Sequence, residues 1–305
     1  MQSFRTRKIN RRQLAAGSAV FAAVPFMPGI SLAAQDASPA VEFEDQLEIF
    51  SWWTAGSEAA GLEELFAAFS AVAPDVEIIN AAVAGGAGSN AQAALQTRLG
   101  GGDPPDSWQS HPGEELLARY VEPGFCEPIT SLWDEEGWND VIPEGLAEQS
   151  TVDGEKYLIP VGVHRGNVMF FNRQILEDND IEVAETMSAD EFFAAADVLK
   201  EAGIPALALG SKDPFAAPHL FENILAAHLG AETYSGLWTG ETGWDSEEVT
   251  GAIETFARYL DYVNEDHAAL TWDGAMDLVL EGTAAMTSMG DWAWGNVVLR
   301  EAEAD

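Results

Sequence analysis

Between residues 47 and 99 the sequence alternates between short apolar runs and patterns with helical periodicity. The runs at 47–53 and 76–83 have the length and side-chain pattern of β-strands. Each run is followed by a segment with apolar residues three or four positions apart, at 58–73 and at 90–99. Because strands that alternate with helices pair mostly in the same direction, this pattern predicts an α/β lobe with a mostly parallel sheet.

The rest of the chain carries local signals of the same kind. Asp153 and Gly154 form the Asp-Gly pair of a tight hairpin turn. Ser188, followed three residues later by Glu191, has the spacing of a capping box and predicts the start of a helix that ends at Gly203. Further strands are predicted at 161–171 and 204–209, and further helices at 220–228, 246–263 and 272–280.

The amino-terminal 34 residues have the composition of an export signal rather than of a folded domain. Five of the 14 basic residues fall within the first 12 positions, and no acidic residue precedes Asp36. An alanine-rich apolar stretch and a group of small residues follow, which is the order of a secretory signal peptide. A membrane anchor is the alternative, but two prolines and a glycine interrupt the apolar stretch.

The pair Arg11-Arg12 also fits a twin-arginine export signal. Residues 1–34 are therefore predicted to be a signal peptide and residues 35–45 a linker. This prediction places the mature protein in the periplasm or at the extracellular face of the membrane.

The charge of the chain limits its partners. A length of 305 residues allows about two domains or two lobes. The 51 acidic residues against 14 basic residues give a formal net charge of -37. A surface this acidic repels phosphate backbones and anionic lipid headgroups, so nucleic acid and membrane surfaces are poor partners. The one cysteine, Cys126, excludes an intramolecular disulfide and a multi-cysteine metal site.

The common catalytic and metal-binding motifs are missing from the sequence. There is no phosphate-binding Walker loop, no G-x-S-x-G nucleophile turn and no H-E-x-x-H zinc motif. The five histidines have no ligand-like spacing. The sequence therefore predicts no catalytic residues, no metal site and no cofactor.

The tryptophans are the strongest functional signal in the sequence. Ten are present, and several lie at the ends of predicted elements beside polar side chains, as at Trp52, Trp108 and Trp292. The apolar faces of a sugar stack on indole rings, while carboxylate and amide groups bond its hydroxyls. This combination predicts a carbohydrate-binding site, whereas Trp133 and Trp138 are predicted to be core residues.

Several motifs occur in an order that resembles one protein family. They are Phe50-Ser51-Trp52-Trp53, Gly102-Asp103-Pro104-Pro105-Asp106, Trp108-Gln109-Ser110-His111 and Gly290-Asp291-Trp292-Ala293. With these motifs the chain resembles the family 1 extracellular solute-binding proteins of ABC sugar importers, and it is most similar to their glucose- and mannose-binding branch. The resemblance covers nearly all of the chain after residue 46.

The resemblance implies a fold and a division of the chain. It implies the α/β, two-lobe periplasmic-binding-protein fold of the maltodextrin-binding (Venus-flytrap) type, in which a hinge lets the lobes close on a ligand. The first lobe is expected at 46–160, a crossover strand at 161–172 and the second lobe at 173–305. Relative to the family, the chain is expected to lack a carboxy-terminal portion, which would leave both lobes incomplete.

The resemblance also implies a function and a set of contacts. It implies the substrate-binding subunit of an ABC importer, a monomer without enzyme activity. Such a subunit binds a monosaccharide such as glucose, mannose or galactose between its lobes and delivers it to the membrane permease. A secreted glycoside hydrolase with paired carboxylates and a sugar-sensing receptor domain are the alternatives. The matching positions imply sugar contacts from Trp52, Trp53, Glu58, Gln109, His111, Trp238, Asp291 and Trp292.

Overall fold

The computed structural model describes residues 45–54, 56–85, 88–182 and 186–300. The predicted signal peptide, with its twin-arginine pair, and residues 35–44 of the predicted linker lie outside the described residues. The described chain divides into two compact units, the first made of 45–54 and 59–162 and the second of 56–58 and 163–300. In this part of the chain, no helix combines the length and the apolar character needed to span a bilayer.

The first unit is built on a parallel sheet of three short strands in the order β2–β1–β3. The elements of this sheet region are β1 (Gln46–Phe50), α1 (Gly56–Val72), β2 (Glu77–Asn80), α2 (Ser89–Gly101) and β3 (Ser107–Trp108). The parallel pairing and the two helices confirm the alternation predicted for residues 47–99. Strand β1 is shorter than predicted because the N–H of Trp52 bonds the side-chain oxygen of Gln109 instead of a neighbouring strand.

The core of the first unit contains residues of β1, α2 and the segment after β3. Phe50, Leu95 and Tyr120 are buried together there. Arg98 on α2 bonds the carboxylate of Glu48 on β1 through two nitrogens, at 2.7 and 2.8 Å. A two-pronged pair of this kind fixes orientation as well as charge, so it anchors the helix to the strand.

The remainder of the first unit is made of short helices and one hairpin. Its elements are α3 (Glu114–Leu116), which continues into a π-helical turn (Leu117–Val121), α4 (Thr130–Glu136), a 3-10 turn (Trp138–Asp140), α5 (Glu144–Gln149), β4 (Thr151–Val152) and β5 (Glu155–Lys156). Strands β4 and β5 pair in antiparallel fashion around Asp153 and Gly154, whose φ angles are 51° and 84°. Two consecutive positive φ angles are what a tight two-residue hairpin loop requires, so the predicted turn is confirmed.

The second unit packs helices around an antiparallel pair of strands. Its elements are β6 (Val168–Phe171), α6 (Arg173–Asp178), α7 (Ala189–Glu201), α8 (Ala216–Thr239), α9 (Glu247–Tyr259), a 3-10 turn (Leu260–Tyr262), α10 (Trp272–Leu280), β7 (Met286–Met289), a 3-10 turn (Asp291–Ala293) and α11 (Trp294–Leu299). Strand β6 pairs with β7, Val168 lying opposite Met289. The parallel pairing of the first unit is therefore not repeated in this pair.

Two local predictions for the second unit have different outcomes. The capping box is confirmed, because the N–H of Glu191 bonds the hydroxyl of Ser188 and the N–H of Ser188 bonds the carboxylate of Glu191. The strand predicted at 204–209 is wrong as a regular strand, since only isolated bridges from Leu207 to Val263 and Met286 form there. The cause is a remote side chain, because the backbone N–H of Leu209 bonds Oδ1 of Asn264 instead of a neighbouring strand.

Most of the buried apolar side chains of the second unit form one cluster between its helices and β7. Phe192 of α7 stacks on Tyr259 of α9, with ring centroids 4.3 Å apart and an angle of 15° between the rings. Leu225 of α8 and Met286 of β7 are fully buried in the same cluster. A second, smaller cluster, which includes Met289 and Ala293, packs against Trp292 in the turn after β7.

Candidate functional site

Trp52 and Gln109 lie side by side at the carboxyl ends of neighbouring parallel strands. The N–H of Gln109 bonds the carbonyl of Phe50 at 2.9 Å, and the N–H of Trp52 bonds Oε1 of Gln109 at 3.1 Å. The next predicted contact, His111, places its ring centroid 5.1 Å from that of Trp52. Trp53 follows and is partly buried. Ligands of open α/β sheets bind outside the carboxyl ends of the strands, so this edge of the first unit is a candidate binding surface.

The glycine that precedes α2 allows Trp52 to take this position. Gly88 has a φ of 94°, a left-handed conformation that residues with a side chain rarely adopt. A Cβ atom at this position would lie 3.1 Å from Cδ2 of Trp52. The backbone of Gly88 therefore packs against the indole, and both the conformation and the contact favour glycine.

The carboxylate of Glu115 contacts His111 at the same edge of the sheet. It lies 2.9 Å from Nδ1 of His111 and accepts a hydrogen bond from the amide of Gln92 at 3.1 Å. Burial raises the pKa of the Glu115 carboxyl, but the hydrogen bonds that it accepts from His111 outweigh this effect, so the net pKa is lowered. Glu115 was not among the predicted contacts, although its place four residues after His111 on a helical turn was a usable signal.

Asp291, in the second unit, binds the segment that precedes β6 with both carboxylate oxygens. Oδ1 lies 2.9 Å from Nδ1 of His164, and Oδ2 accepts the N–H of Arg165 at 3.1 Å. The backbone N–H of Asp291 also donates to the carbonyl of Arg165 at 2.9 Å. Burial acts to raise the pKa of Asp291, but the hydrogen bonds from Arg165 and His164 outweigh this effect, so the net pKa falls below the ordinary value.

The indole of Trp292 sits among aromatic rings of the second unit. Its centroid lies 5.4 Å from His164, 5.6 Å from His219 and 6.5 Å from Phe215. Edge-on ring contacts at these separations are the preferred arrangement of aromatic groups. The three rings therefore hold the partly buried Trp292 in one orientation.

A small cavity of the second unit opens beside Trp292. It has a volume of ≈ 120 Å³ and is lined by Gly56, Ser57, Glu58, Trp272, Asp273, Trp292 and Asn296. The lining therefore includes two indoles, two carboxylates and one amide. Planar polar groups can bond two adjacent hydroxyls at once, while the indoles offer apolar contact to a ring.

The predicted contacts are therefore distributed over separate groups. The structure groups Trp52, Gln109 and His111 in the first unit, and Glu58 and Trp292 at the cavity of the second unit, with Asp291 adjacent in sequence to Trp292.

Trp238 belongs to a different cluster from the other predicted contacts. Its ring neighbours are Tyr234 at 5.8 Å and Trp244 at 5.2 Å, and it does not line the cavity. Its residue surface is 57% exposed. The structure therefore does not bring Trp238 together with Asp291 and Trp292.

Four residues near the site were missed as contacts. No role was predicted for His164, Trp272 and Asp273. Asn296 had no signal, because a lone asparagine near a helix start is usually a local capping residue. Among the described residues, no group of three or more His, Cys, Asp or Glu side chains is arranged to hold a metal ion.

Comparisons with known proteins bear on the family and the fold of the chain. A family model described as "Bacterial extracellular solute-binding protein" matches residues 55–304. A Pyrococcus horikoshii protein described as an uncharacterized ABC transporter extracellular-binding protein is 37% identical over 250 residues, covering 82% of this chain and 56% of the relative. A "Probable sugar-binding periplasmic protein" of Mesorhizobium japonicum is 29% identical over 255 residues, covering 82% of this chain and 59% of the relative. The chain thus spans less than two thirds of the length of these relatives.

Solved structures match the fold of the chain. The bacterial solute receptor AcbH, described as having an exclusive preference for β-D-galactopyranose, matches with a TM-score of 0.70 at 20% identity. The match covers 82% of this chain and 62% of that protein. This similarity confirms the predicted fold class.

Proposed function

Because the chain belongs to the family of bacterial extracellular solute-binding proteins, we propose that it is the sugar-binding subunit of an ABC importer. In this proposal the protein binds a monosaccharide such as glucose, mannose or galactose, and its sugar-bound form delivers the ligand to membrane permease subunits. Domain closure around the ligand is the physical basis of such delivery, since a permease can then distinguish the loaded from the empty form. We expect the protein to be a monomer.

The cavity beside Trp292 is the observation that carries the proposal. Its lining combines the indoles of Trp272 and Trp292 with the carboxylates of Glu58 and Asp273 and the amide of Asn296. A pyranose presents the complementary surface, with apolar C–H faces and a rim of hydroxyls. The residues grouped around Trp52 in the first unit are a second set of the same chemical kind, with an indole, an amide and an imidazole.

The family and its relatives also bear on the enzyme alternative. They are binding proteins of transporters rather than enzymes. This agrees with the prediction of no enzyme activity and leaves no support for the secreted glycoside hydrolase. The descriptions of two of the compared proteins, the Mesorhizobium relative and the galactopyranose receptor, name a sugar as the ligand. These descriptions support a sugar as the solute here.

Titration calorimetry of the full-length protein with D-glucose, D-mannose and D-galactose tests the proposal. We expect saturable binding of at least one sugar, with a Kd on the order of micromolar, equivalent to about 8 kcal/mol of binding free energy. Glu58→Gln keeps the shape of the side chain but removes its charge, and it should weaken binding by about tenfold, since hydrogen bonds to charged groups contribute about 1.5–3 kcal/mol.

The paired variants Trp272→Ala and Trp238→Ala provide a matched comparison within the second unit. Both remove an indole, but only Trp272 lines the cavity. The first variant should lose most of the affinity, and the second should bind sugar as the unaltered protein does. Equal effects of the two variants would place the binding site elsewhere, and no heat with any of the three sugars would reject a monosaccharide ligand.

Export is the remaining part of the proposal. We propose that residues 1–34 direct the folded protein across the membrane by the twin-arginine route, as the pair Arg11-Arg12 indicates. Replacing both arginines by lysine keeps the charge but removes this recognition, so the precursor should remain in the cytoplasm. Normal export of that variant would favour the general secretion route instead.

A further inference from the structure

One carboxylate organises the loop that follows β3. Oε2 of Glu115 lies 2.9 Å from Nδ1 of His111 and accepts from the amide of Gln92 at 3.1 Å. Oε1 accepts from the hydroxyl of Ser110 at 3.3 Å and from the backbone N–H of His111 at 3.4 Å. The side chain of Glu115 is 18% exposed, whereas that of His111 is 61% exposed. A mostly buried carboxylate therefore contacts one nitrogen of an exposed imidazole.

The chemistry of this contact fixes where one hydrogen lies. The pKa of Glu115 is lowered despite the opposing effect of burial, so the carboxylate is ionised at neutral pH and can only accept hydrogen bonds. The hydrogen between the two groups therefore belongs to Nδ1 of His111. A neutral imidazole with its hydrogen on Nδ1 carries a lone pair on Nε2.

We propose that Glu115 is a positioning residue that selects the Nδ1–H form of His111, so that Nε2 accepts a hydrogen bond from a hydroxyl group of the bound sugar. The inference rests on the proposed function, in which His111 contacts the ligand. It adds a role for a residue outside the predicted contacts.

The contact with Glu115 fixes the orientation of the imidazole as well as the nitrogen that carries its hydrogen. The ring of His111 lies 5.1 Å from that of Trp52, with 33° between the planes. Without Glu115 the exposed side chain would rotate freely and exchange its hydrogen between both nitrogens. A sugar hydroxyl would then meet an Nε2 atom that accepts a hydrogen bond only part of the time, and ordering the ring would cost side-chain entropy.

Nitrogen-15 NMR of the full-length protein with labelled histidine tests the assignment at neutral pH, and the His111 signals are identified by their loss in His111→Gln. In the unaltered protein we expect a protonated Nδ1 and an unprotonated Nε2. Glu115→Gln should shift His111 towards a mixture of the two forms. Glu114→Gln, a change of the exposed neighbouring carboxylate, should leave the signals unchanged.

Calorimetry with the sugar that binds best gives the functional consequence. Glu115→Gln should weaken binding by about tenfold, the effect of one hydrogen bond to a properly placed acceptor, while Glu114→Gln should not. A hydrogen on Nε2 in the unaltered protein would overturn the inference, even if Glu115→Gln failed to fold. An unchanged Nδ1–H form in a folded Glu115→Gln protein would also overturn it. Absence of sugar binding by the unaltered protein would instead reject the proposed function, because the NMR result does not depend on a ligand.

Discussion

The Gly290→Ala substitution tests whether the packing of Trp292 controls both stability and binding. Gly290 has φ −73° and ψ 163°, an extended conformation that any residue can adopt, so backbone strain is not involved. A Cβ atom at this position would lie 1.9 Å from Cζ3 of Trp292 and 2.2 Å from Cε3. Carbon atoms in contact prefer about 3.5–4.0 Å, so the indole must move by roughly 1.5–2 Å.

The surroundings of the indole make that movement costly. His164, His219 and Phe215 contact Trp292, so a displaced indole must disturb one of these contacts or move into the cavity beside it. Inserting an atom into packed surroundings typically costs about 1–3 kcal/mol of unfolding free energy. In a domain of this size, each kcal/mol lowers Tm by about 2–4 °C. Sugar affinity should fall by about tenfold or more, because the displaced ring no longer faces the cavity.

Thermal melts and sugar calorimetry of Gly290→Ala, compared with Gly61→Ala, measure both effects. Gly61 lies within α1, and a Cβ atom there would meet no atom within 4 Å. The Gly61→Ala change should leave binding unaltered and stabilise the protein by up to about 1 kcal/mol, since alanine restricts the unfolded chain. If Gly290→Ala retained the Tm and affinity of the unaltered protein, Trp292 would not be held as described.

Three further changes probe other parts of the structure. Gly210→Ala would place a Cβ atom 2.0 Å from the carbonyl oxygen of Thr271. Because a backbone atom cannot rotate aside, urea unfolding should show that the free energy of unfolding falls by about 3 kcal/mol. An unchanged unfolding midpoint would contradict this prediction. Ser188→Ala removes the hydroxyl that caps Glu191, so the same assay should show a loss of about 1 kcal/mol, whereas no loss would mean that the cap is dispensable. Burial raises the pKa of Cys126 to about 12. Because only the thiolate reacts, a thiol reagent at pH 8 should label the native protein on the order of a thousandfold more slowly than the urea-unfolded protein. Equal labelling rates would show that the thiol is accessible in the native protein.

Local chemistry made several elements of this protein predictable from sequence. The hairpin at Asp153 and Gly154 and the helix start at Ser188 depend on residues within a few positions of one another, and both are present as predicted. The helix predicted at 272–280 has the observed bounds, Trp272–Leu280, since its apolar spacing and the threonine before it are local signals too. Short strands were less predictable. The apolar run at 204–209 reads as a strand, but it forms only isolated bridges, because a distant asparagine binds one of its backbone donors.

The sequence also predicted the residue types of a binding site, but the tertiary structure decided which of these residues lie close together. Tryptophans beside carboxylates and amides predicted a sugar site that includes Trp238 and Trp292, yet Trp238 packs on Trp244 and only Trp292 lines the cavity. The partners of Asp291 and Trp292 include residues more than 100 positions away, such as His164. Amphipathic spacing and caps act over one or two helical turns, whereas contacts between remote segments depend on how complete elements pack. For that reason composition and motifs could predict the kind of ligand for this protein, whereas only the packed fold decided which of the predicted side chains lie together.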